Sequence, residues 1–157
     1  VARLADYVLD TSRLNIHQLR DAIVRWVTGE GKPSVVTFVS FGYRYGVPAA
    51  AELLFDVRFL PNPHFEPLLR PKTGLDRDVA DYVLGHPRTR ELLSKLGGFL
   101  DYLLERYDAE GKAYLTVGIG CTGGRHRSVA VATAVAERLR QSGREVNVQH
   151  RDVEKES

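Results

Sequence analysis

Hydrophobic and polar positions along this chain fall into blocks, and the period of the pattern changes from block to block. Residues 5–10 (Ala-Asp-Tyr-Val-Leu-Asp) read as a short strand. Ile16, Leu19, Ile23 and Val27 then recur at three- and four-residue spacing, which predicts an amphipathic helix with Thr11, Ser12 or Asn15 available as its cap. Gly29-Glu30-Gly31-Lys32-Pro33 breaks the pattern as a linker would. Val35-Val36-Thr37-Phe38-Val39 is short, β-branched and apolar, the pattern of a buried strand, and it runs into the glycine-rich, cation-bearing loop Ser40-Phe41-Gly42-Tyr43-Arg44-Tyr45-Gly46. A short helix is expected over residues 49–53 and a second strand over 54–58. Residues 60–74 have no periodicity and hold Pro61, Pro63, Pro67 and Pro71. Prolines fix φ and remove amide donors, so this stretch is expected to be a rigid loop, and a long loop inside a compact domain is a functional candidate. Helices follow over 76–84 and 87–106, the second carrying Leu92, Leu93, Leu96, Leu100, Leu103 and Leu104. A strand over 114–119, a helix over 128–141 stopped by Gly143, and a strand over 145–149 complete the pattern. Strands alternating with helices predict an α/β sandwich with a largely parallel sheet.

Composition narrows the function classes. At 157 residues, 43% hydrophobic and 27% charged, the chain can bury a core without disulfides. Its one cysteine, Cys121, excludes an internal disulfide and a cysteine-built zinc site. His17, His64, His86, His126 and His150 show no ligand spacing, so no metal site is expected. No apolar run reaches a membrane span and no basic-then-apolar leader opens the chain, so a reducing cytoplasm is the expected compartment. Net charge is +2, but from Lys112 onward eight Lys/Arg face five acids, a mild basic bias. The chain starts at Val1 and contains no methionine. That points to the C-terminal piece of a longer protein, with residues 1–28 the end of an upstream domain.

The densest chemistry lies in Cys121-Thr122-Gly123-Gly124-Arg125-His126-Arg127-Ser128, between an expected strand and helix. Ligands of open α/β sheets sit beyond the carboxyl ends of the strands. Two glycines let the backbone approach a ligand, the helix N-terminus offers free amides, and arginine grips oxyanions through paired hydrogen bonds. The loop therefore suits a phosphate or another small oxyanion. The alternative to a ligand loop is a plain strand-to-helix turn with solvated arginines. Cys121 to Arg127-Ser128 also has the spacing C-x5-R-[ST], which resembles the signature of cysteine-dependent phosphatases. Gly120 stands where that signature has histidine, and no general-acid aspartate loop is evident. A small semi-buried cysteine at a strand end is the competing reading. His64 in the proline-rich loop, and Arg58 and Arg44 at strand ends, are pocket candidates or surface groups. Gly31-Lys32 is followed by Pro33, so there is no Walker A motif.

Several long blocks then carry a resemblance. They are Val39-Ser40-Phe41-Gly42-Tyr43, Phe55-Asp56-Val57-Arg58-Phe59-Leu60-Pro61-Asn62-Pro63-His64, Arg70-Pro71-Lys72-Thr73-Gly74-Leu75-Asp76, and the run from Tyr114 to Ser128. In this order over nearly the whole chain, they resemble the C-terminal domain of the RapZ/YvcJ family of bacterial RNase adapter or nucleotide-binding proteins. The resemblance implies a Rossmann-like three-layer fold with a mostly parallel sheet, similar to part of phosphofructokinase. It divides the chain into residues 1–33, the last strand and helix of an upstream P-loop domain plus linker, and residues 34–157, the ligand-binding domain. It implies a regulatory binding domain without catalytic residues or a cofactor of its own, sensing an amino-sugar phosphate such as glucosamine-6-phosphate. It further implies partners (a small RNA and an endoribonuclease) and self-association. The ligand residues it implies are Cys121, Thr122, Gly123, Gly124, Arg125, His126, Arg127, Ser128 and His64, with Arg58, Arg44 and Ser40. Arg44-Tyr45 replaces the Lys-His pair of the enterobacterial member. The tail, ending Asp152-Val153-Glu154-Lys155-Glu156-Ser157, lacks that member's strong basic charge. Arg138, Arg140, Arg144 and Arg151 are the remaining RNA-contact candidates.

Overall fold

The structure is a computed structural model and describes residues 15–28 and 32–156. The strand expected over 5–10 and the caps Thr11 and Ser12 lie outside the described residues. Four strands, β1 (Val35–Gly42), β2 (Leu53–Asp56), β3 (Tyr114–Cys121) and β4 (Val146–His150), form one parallel sheet in the order β2-β3-β1-β4. The two central strands are in register along their whole length, from Val35 beside Tyr114 to Gly42 beside Cys121. Their carboxyl ends, and the loops that follow, therefore leave the sheet side by side.

The helices are α1 (Ile16–Thr28), α2 (Arg77–Leu84), α3 (Pro87–Glu110) and α4 (Arg127–Gln141). The steps β2 to β3 and β3 to β4 move the same way across the sheet, so right-handed crossovers place α2, α3 and α4 on one face. There Val36, Phe38, Leu115, Val117 and Ile119 meet Leu96, Leu100 and Leu104 of α3 and Val131, Val135 and Leu139 of α4 in one core. The leucine stripe of α3 is thus spent on this core. The step from β1 to β2 runs the other way and lays its connection across the opposite face. Phe41, Ala51 and Leu54 crowd Gly118, and a Cβ at Gly120 would stand 2.5 Å from the Phe41 ring, so these two glycines seat an aromatic layer against β3. The chain is an α/β domain of Rossmann-like three-layer type, as its alternating pattern predicts.

The structure corrects several local expectations. Residues 49–53 do not form a helix: Ala51 closes a turn onto the Pro48 carbonyl (3.1 Å) and the Glu52 amide already bonds Thr116 O of β3 (2.9 Å). Five residues are too few to repay helix nucleation, and the β3 ladder is within reach. The following strand ends at Asp56, whose carboxylate takes the Arg58 amide (2.9 Å) and turns the chain. β1 runs on to Gly42, and α3 continues to Glu110, where Gly111 ends it at φ 78°. The proline-rich stretch is an ordered series of turns with a 3-10 turn at Pro63–Phe65, capped by Asn62 Oδ1 accepting from the His64 amide (3.2 Å). α1 forms as expected, but Ile16 and Val27 on its apolar stripe are 84% and 71% exposed. No helix among the described residues is long and apolar enough to cross a membrane.

Candidate anion-binding site

β3 ends at Cys121 and α4 begins at Arg127, so the intervening loop lies at the centre of the sheet's carboxyl edge. Glycines make its course possible. Gly124 takes φ 78°, and a Cβ there would come within 2.5 Å of the Gly42 amide nitrogen and 2.8 Å of Asp152 Cβ. On the other side, the Gly74 amide bonds Arg125 O (2.7 Å) and a Cβ at Gly74 would meet His126 O at 2.3 Å. The loop is thus clamped between the end of β1 and the end of the proline-rich stretch.

Beside it opens a cavity of about 500 Å³, its mouth included. Arg44 lines it from the β1–β2 connection, Asn62 and His64 from the proline-rich stretch, and Cys121, Thr122, Gly123, Arg125, His126 and Arg127 from the loop. The lining holds three arginines, two histidines and no carboxylate. Arg127 is only 5% exposed. Its Nη1 donates to the carbonyls of Arg58 and Leu60 and its Nη2 to Thr122 Oγ1 (3.3 Å), while Nε is buried without a partner. Burial pulls its pKa below the usual arginine value, against the attraction of Cys121 and Asp56. Arg125 repeats the arrangement: Nη1 donates to Lys155 O (2.7 Å), Nη2 to Pro71 O (3.3 Å), and Nε is buried with no partner. A buried donor left unpaired costs about 1–3 kcal/mol, and more when charged, so two in one wall call for an acceptor. His126 is buried, which lowers its pKa against the pull of the Lys72 and Arg70 backbones, so the ring is neutral at pH 7. Cys121 Sγ accepts the Gly124 amide (3.3 Å) and lies 3.1 Å from Ser128 Oγ. As N-cap of α4, His126 makes no side-chain cap bond.

The other expected ligand residues are placed differently. Ser128 is fully buried behind Cys121, and Gly124 backs the loop against Gly42. Arg58 does not line the cavity: its guanidinium is paired with Asp56 (2.6 Å) and lies 4.2 Å from the Tyr43 ring centre, while its carbonyl anchors Arg127. Ser40 is buried in the sheet, its hydroxyl 2.8 Å from His150 Nδ1. The four candidate RNA arginines are all engaged within the fold. Arg138 bonds Asp101 (3.0 Å), Arg140 bonds Val146 O, Arg144 grips Asp108 (2.7 Å) and Ser34 O, and Arg151 bonds Asp152 and Gly46 O. No metal-holding group of three His, Cys, Asp or Glu occurs among the described residues.

Sequence reasoning missed two residues. Asn62 lines the cavity, and its signal was its place beside His64 in the Pro-Asn-Pro-His block. Asp152, counted above among the tail acids, is fully buried and accepts from the Gly42 amide (2.8 Å), Arg151 and Lys155. Burial pushes its pKa up, but the bonds from Arg151, Gly42 and Lys155 outweigh burial and hold it at about 2.

The sequence of the RapZ C-terminal domain family matches residues 34–154 of this chain. A nucleotide-binding protein of Anaeromyxobacter sp. (strain K) is 54% identical over 157 residues, covering 99% of this chain and 53% of that protein. Nucleotide-binding proteins of Syntrophotalea carbinolica (52% identical, 98% of this chain, 54% of the relative) and Mycolicibacterium vanbaalenii (53%, 97% and 48%) match in the same way. The chain spans about half the length of these relatives. With the match running from the start of β1 to the segment after β4, the chain belongs to the RapZ C-terminal domain family.

Proposed function

We propose that the cavity beside the 121–128 loop binds a phosphorylated small metabolite, a sugar phosphate of the amino-sugar class such as glucosamine-6-phosphate. In this reading the domain is a cytoplasmic, self-associating sensor that couples occupancy to an RNA or an RNase partner. The observation that carries the phosphate is a cavity lined by Arg44, Arg125 and Arg127 and by no carboxylate, with the Nε–H donors of Arg125 and Arg127 buried and unpartnered in its wall. A phosphoryl oxygen supplies the acceptor these donors lack. His64, Asn62 and Arg44 extend the lining beyond the loop and are suited to the remainder of the ligand. The relatives' name points to nucleotides, whose phosphates present the same oxyanion, so a nucleotide belongs in the test. The RNA part of the reading rests on the basic bias of the C-terminal third, since the four candidate arginines already have partners within the fold.

Calorimetry with glucosamine-6-phosphate, glucosamine, inorganic phosphate and AMP tests the ligand. The expected result is binding of the phosphosugar above phosphate, none of glucosamine, and a loss of about tenfold or more in Arg44→Ala. Arg127→Lys keeps a cation but not the paired donors, and is expected to lose binding while circular dichroism shows the fold retained. Equal binding of glucosamine, or tighter binding of AMP, would replace the ligand class. RNA contact predicts affinity that falls steeply with salt; a flat salt response removes that part of the proposal.

A further inference from the structure

We infer that Arg44, Asn62 and His64 form a second anion subsite, in the part of the cavity wall that the 121–128 loop does not supply. The ligand class that fits the pocket best is then a phosphate ester whose small polyol frame carries a second oxyanion, a carboxylate or another phosphate. This rests on the phosphate-binding reading of the loop and refines the ligand it takes.

Each of the three side chains lines the cavity with donors that the fold leaves unspent. Arg44 has a fixed backbone: its amide bonds Thr122 O of the loop (3.2 Å), and its neighbours are held by the Arg58 guanidinium over the Tyr43 ring (4.2 Å) and by Tyr45 Oη on Glu156 O (2.7 Å). Its guanidinium is exposed, and among the described residues no hydrogen bond or ion pair engages it. Asn62 has committed its oxygen, since Oδ1 accepts the His64 amide (3.2 Å) as the cap of the 3-10 turn. What remains for the cavity is Nδ2, two N–H donors and no acceptor. The His64 ring makes an edge contact with Phe65 (5.9 Å between centres), and among the described residues its nitrogens have no hydrogen-bond partner. It brings at least one further N–H.

The charges around these donors decide what they can hold. No carboxylate lines the cavity. The flanking acids are spent elsewhere, Asp56 on Arg58 and Asp152 on Arg151 and Lys155. Glu66, the acid nearest to His64 in sequence, is exposed and outside the lining. A ligand ammonium would meet three arginines and no counter-ion. A ligand hydroxyl satisfies Asn62 or His64 but leaves Arg44 uncompensated. A second oxyanion satisfies all three. At about 500 Å³, mouth included, the cavity is of the size that takes a small molecule rather than a lone phosphate ion. Because Arg44 is exposed, solvent screens part of the gain, and the second oxyanion is expected to add about tenfold in affinity.

The test is calorimetry on the purified protein at about 0.15 M salt. The probes are inorganic phosphate, glucose 6-phosphate, glucosamine-6-phosphate, 6-phosphogluconate and glucose 1,6-bisphosphate. Both dianionic frames, the phosphogluconate and the bisphosphate, are expected to bind about tenfold or more above glucose 6-phosphate. In Arg44→Ala that ratio is expected to fall within about threefold, whatever the loss common to all ligands. The ratio is the readout because a general loosening of the pocket does not move it. Asn62→Asp supplies the second arm. It keeps an acceptor for the His64 amide, and so the turn, but replaces two donors by a negative charge. It is expected to invert the preference, with glucosamine-6-phosphate above 6-phosphogluconate. Wild type that binds glucose 6-phosphate as tightly as both dianionic frames, or glucosamine-6-phosphate more tightly than either, overturns the second subsite while leaving the phosphate loop standing. A tenfold ratio that survives in both variants also overturns it. Failure of every probe to bind, inorganic phosphate included, removes the phosphate reading as well.

Discussion

Asp152 shows how much one carboxylate can set. It is fully buried, yet it receives a backbone N–H from Gly42 and two cations, Arg151 and Lys155. Its pKa, about 2, lies below the ordinary value of 3.8, so the folded state favours the ionised form. The sign follows directly: the stabilisation is complete above about pH 4, where the unfolded chain is also ionised, and it disappears as pH falls toward 2. A shift of this size corresponds to about 2 kcal/mol. Asp152→Asn is therefore expected to lose about 2 kcal/mol in urea denaturation at pH 7, with the gap to wild type closing between pH 4 and pH 2. A gap independent of pH would mean that packing, not charge, makes the contact. Nothing in the residue's own neighbourhood signals this role. Between Arg151 and the run Glu154-Lys155-Glu156 it reads as one more solvated acid, and only the return of the chain beside Gly42, 110 positions earlier, gives it a partner. The 121–128 loop was legible for the opposite reason. Its glycines, cations and hydroxyls are contiguous, so their chemistry needs no long-range information.

At the scale of elements, α3 offers a controlled comparison in two adjacent glycines. Gly98 is exposed, and a Cβ there would meet nothing within 4 Å. Gly98→Ala is expected to stabilise by about 1 kcal/mol through helix propensity, raising Tm by about 3 °C. Gly97 is buried under the Arg138 guanidinium, whose Nη1 would lie 1.4 Å from an added Cβ. Alanine there evicts Arg138 from Asp101 and Leu93 O, contacts that are half exposed and worth about 0.5–1 kcal/mol. The propensity gain and the lost contacts nearly cancel, so Gly97→Ala is expected within about 0.5 kcal/mol of wild type. Two equal increases would show that Arg138 contributes nothing. The period of α3 was readable because its leucines recur over many turns, and Leu96, Leu100 and Leu104 are the buried ones. The expected helix over 49–53 failed because so short a window carries no period, and its fate was decided by the Thr116 carbonyl of a strand more than sixty positions away. The same limit applies to Arg138, Arg140 and Arg144. A cationic run on a helix and the turn after it looks solvent-facing until α3 and β4 supply its partners.

Across the whole molecule, residues 152–156 form a strap against the 121–128 loop. Arg125, a wall of the cavity, donates to Lys155 O (2.7 Å); Tyr45 donates to Glu156 O (2.7 Å); and Asp152 holds the end of β1 against Gly124. Removing residues 152–157 would take away Asp152, Glu154 and Glu156 together with Lys155, a change of +2 that raises the net charge from +2 to +4. Two effects then oppose each other. More positive charge favours an anionic ligand, but the exposed acids lie in solvent, where screening at physiological salt limits each to a fraction of a kcal/mol. Loss of the strap releases Arg125 and removes the Asp152 pin, worth about 2 kcal/mol of bias toward the clamped loop. If the loop binds only when clamped, affinity falls by the fraction of molecules that keep it so. The strap term is the larger, so the truncated protein is expected to bind inorganic phosphate about tenfold more weakly at 0.15 M salt. Its far-UV circular dichroism should be nearly unchanged, because residues 152–156 contain no helix or strand. Repeating the titration at low and high salt separates the two effects. A deficit that persists at high salt belongs to the strap, while an affinity that rises on truncation and falls with salt would identify the tail as an electrostatic screen over the pocket.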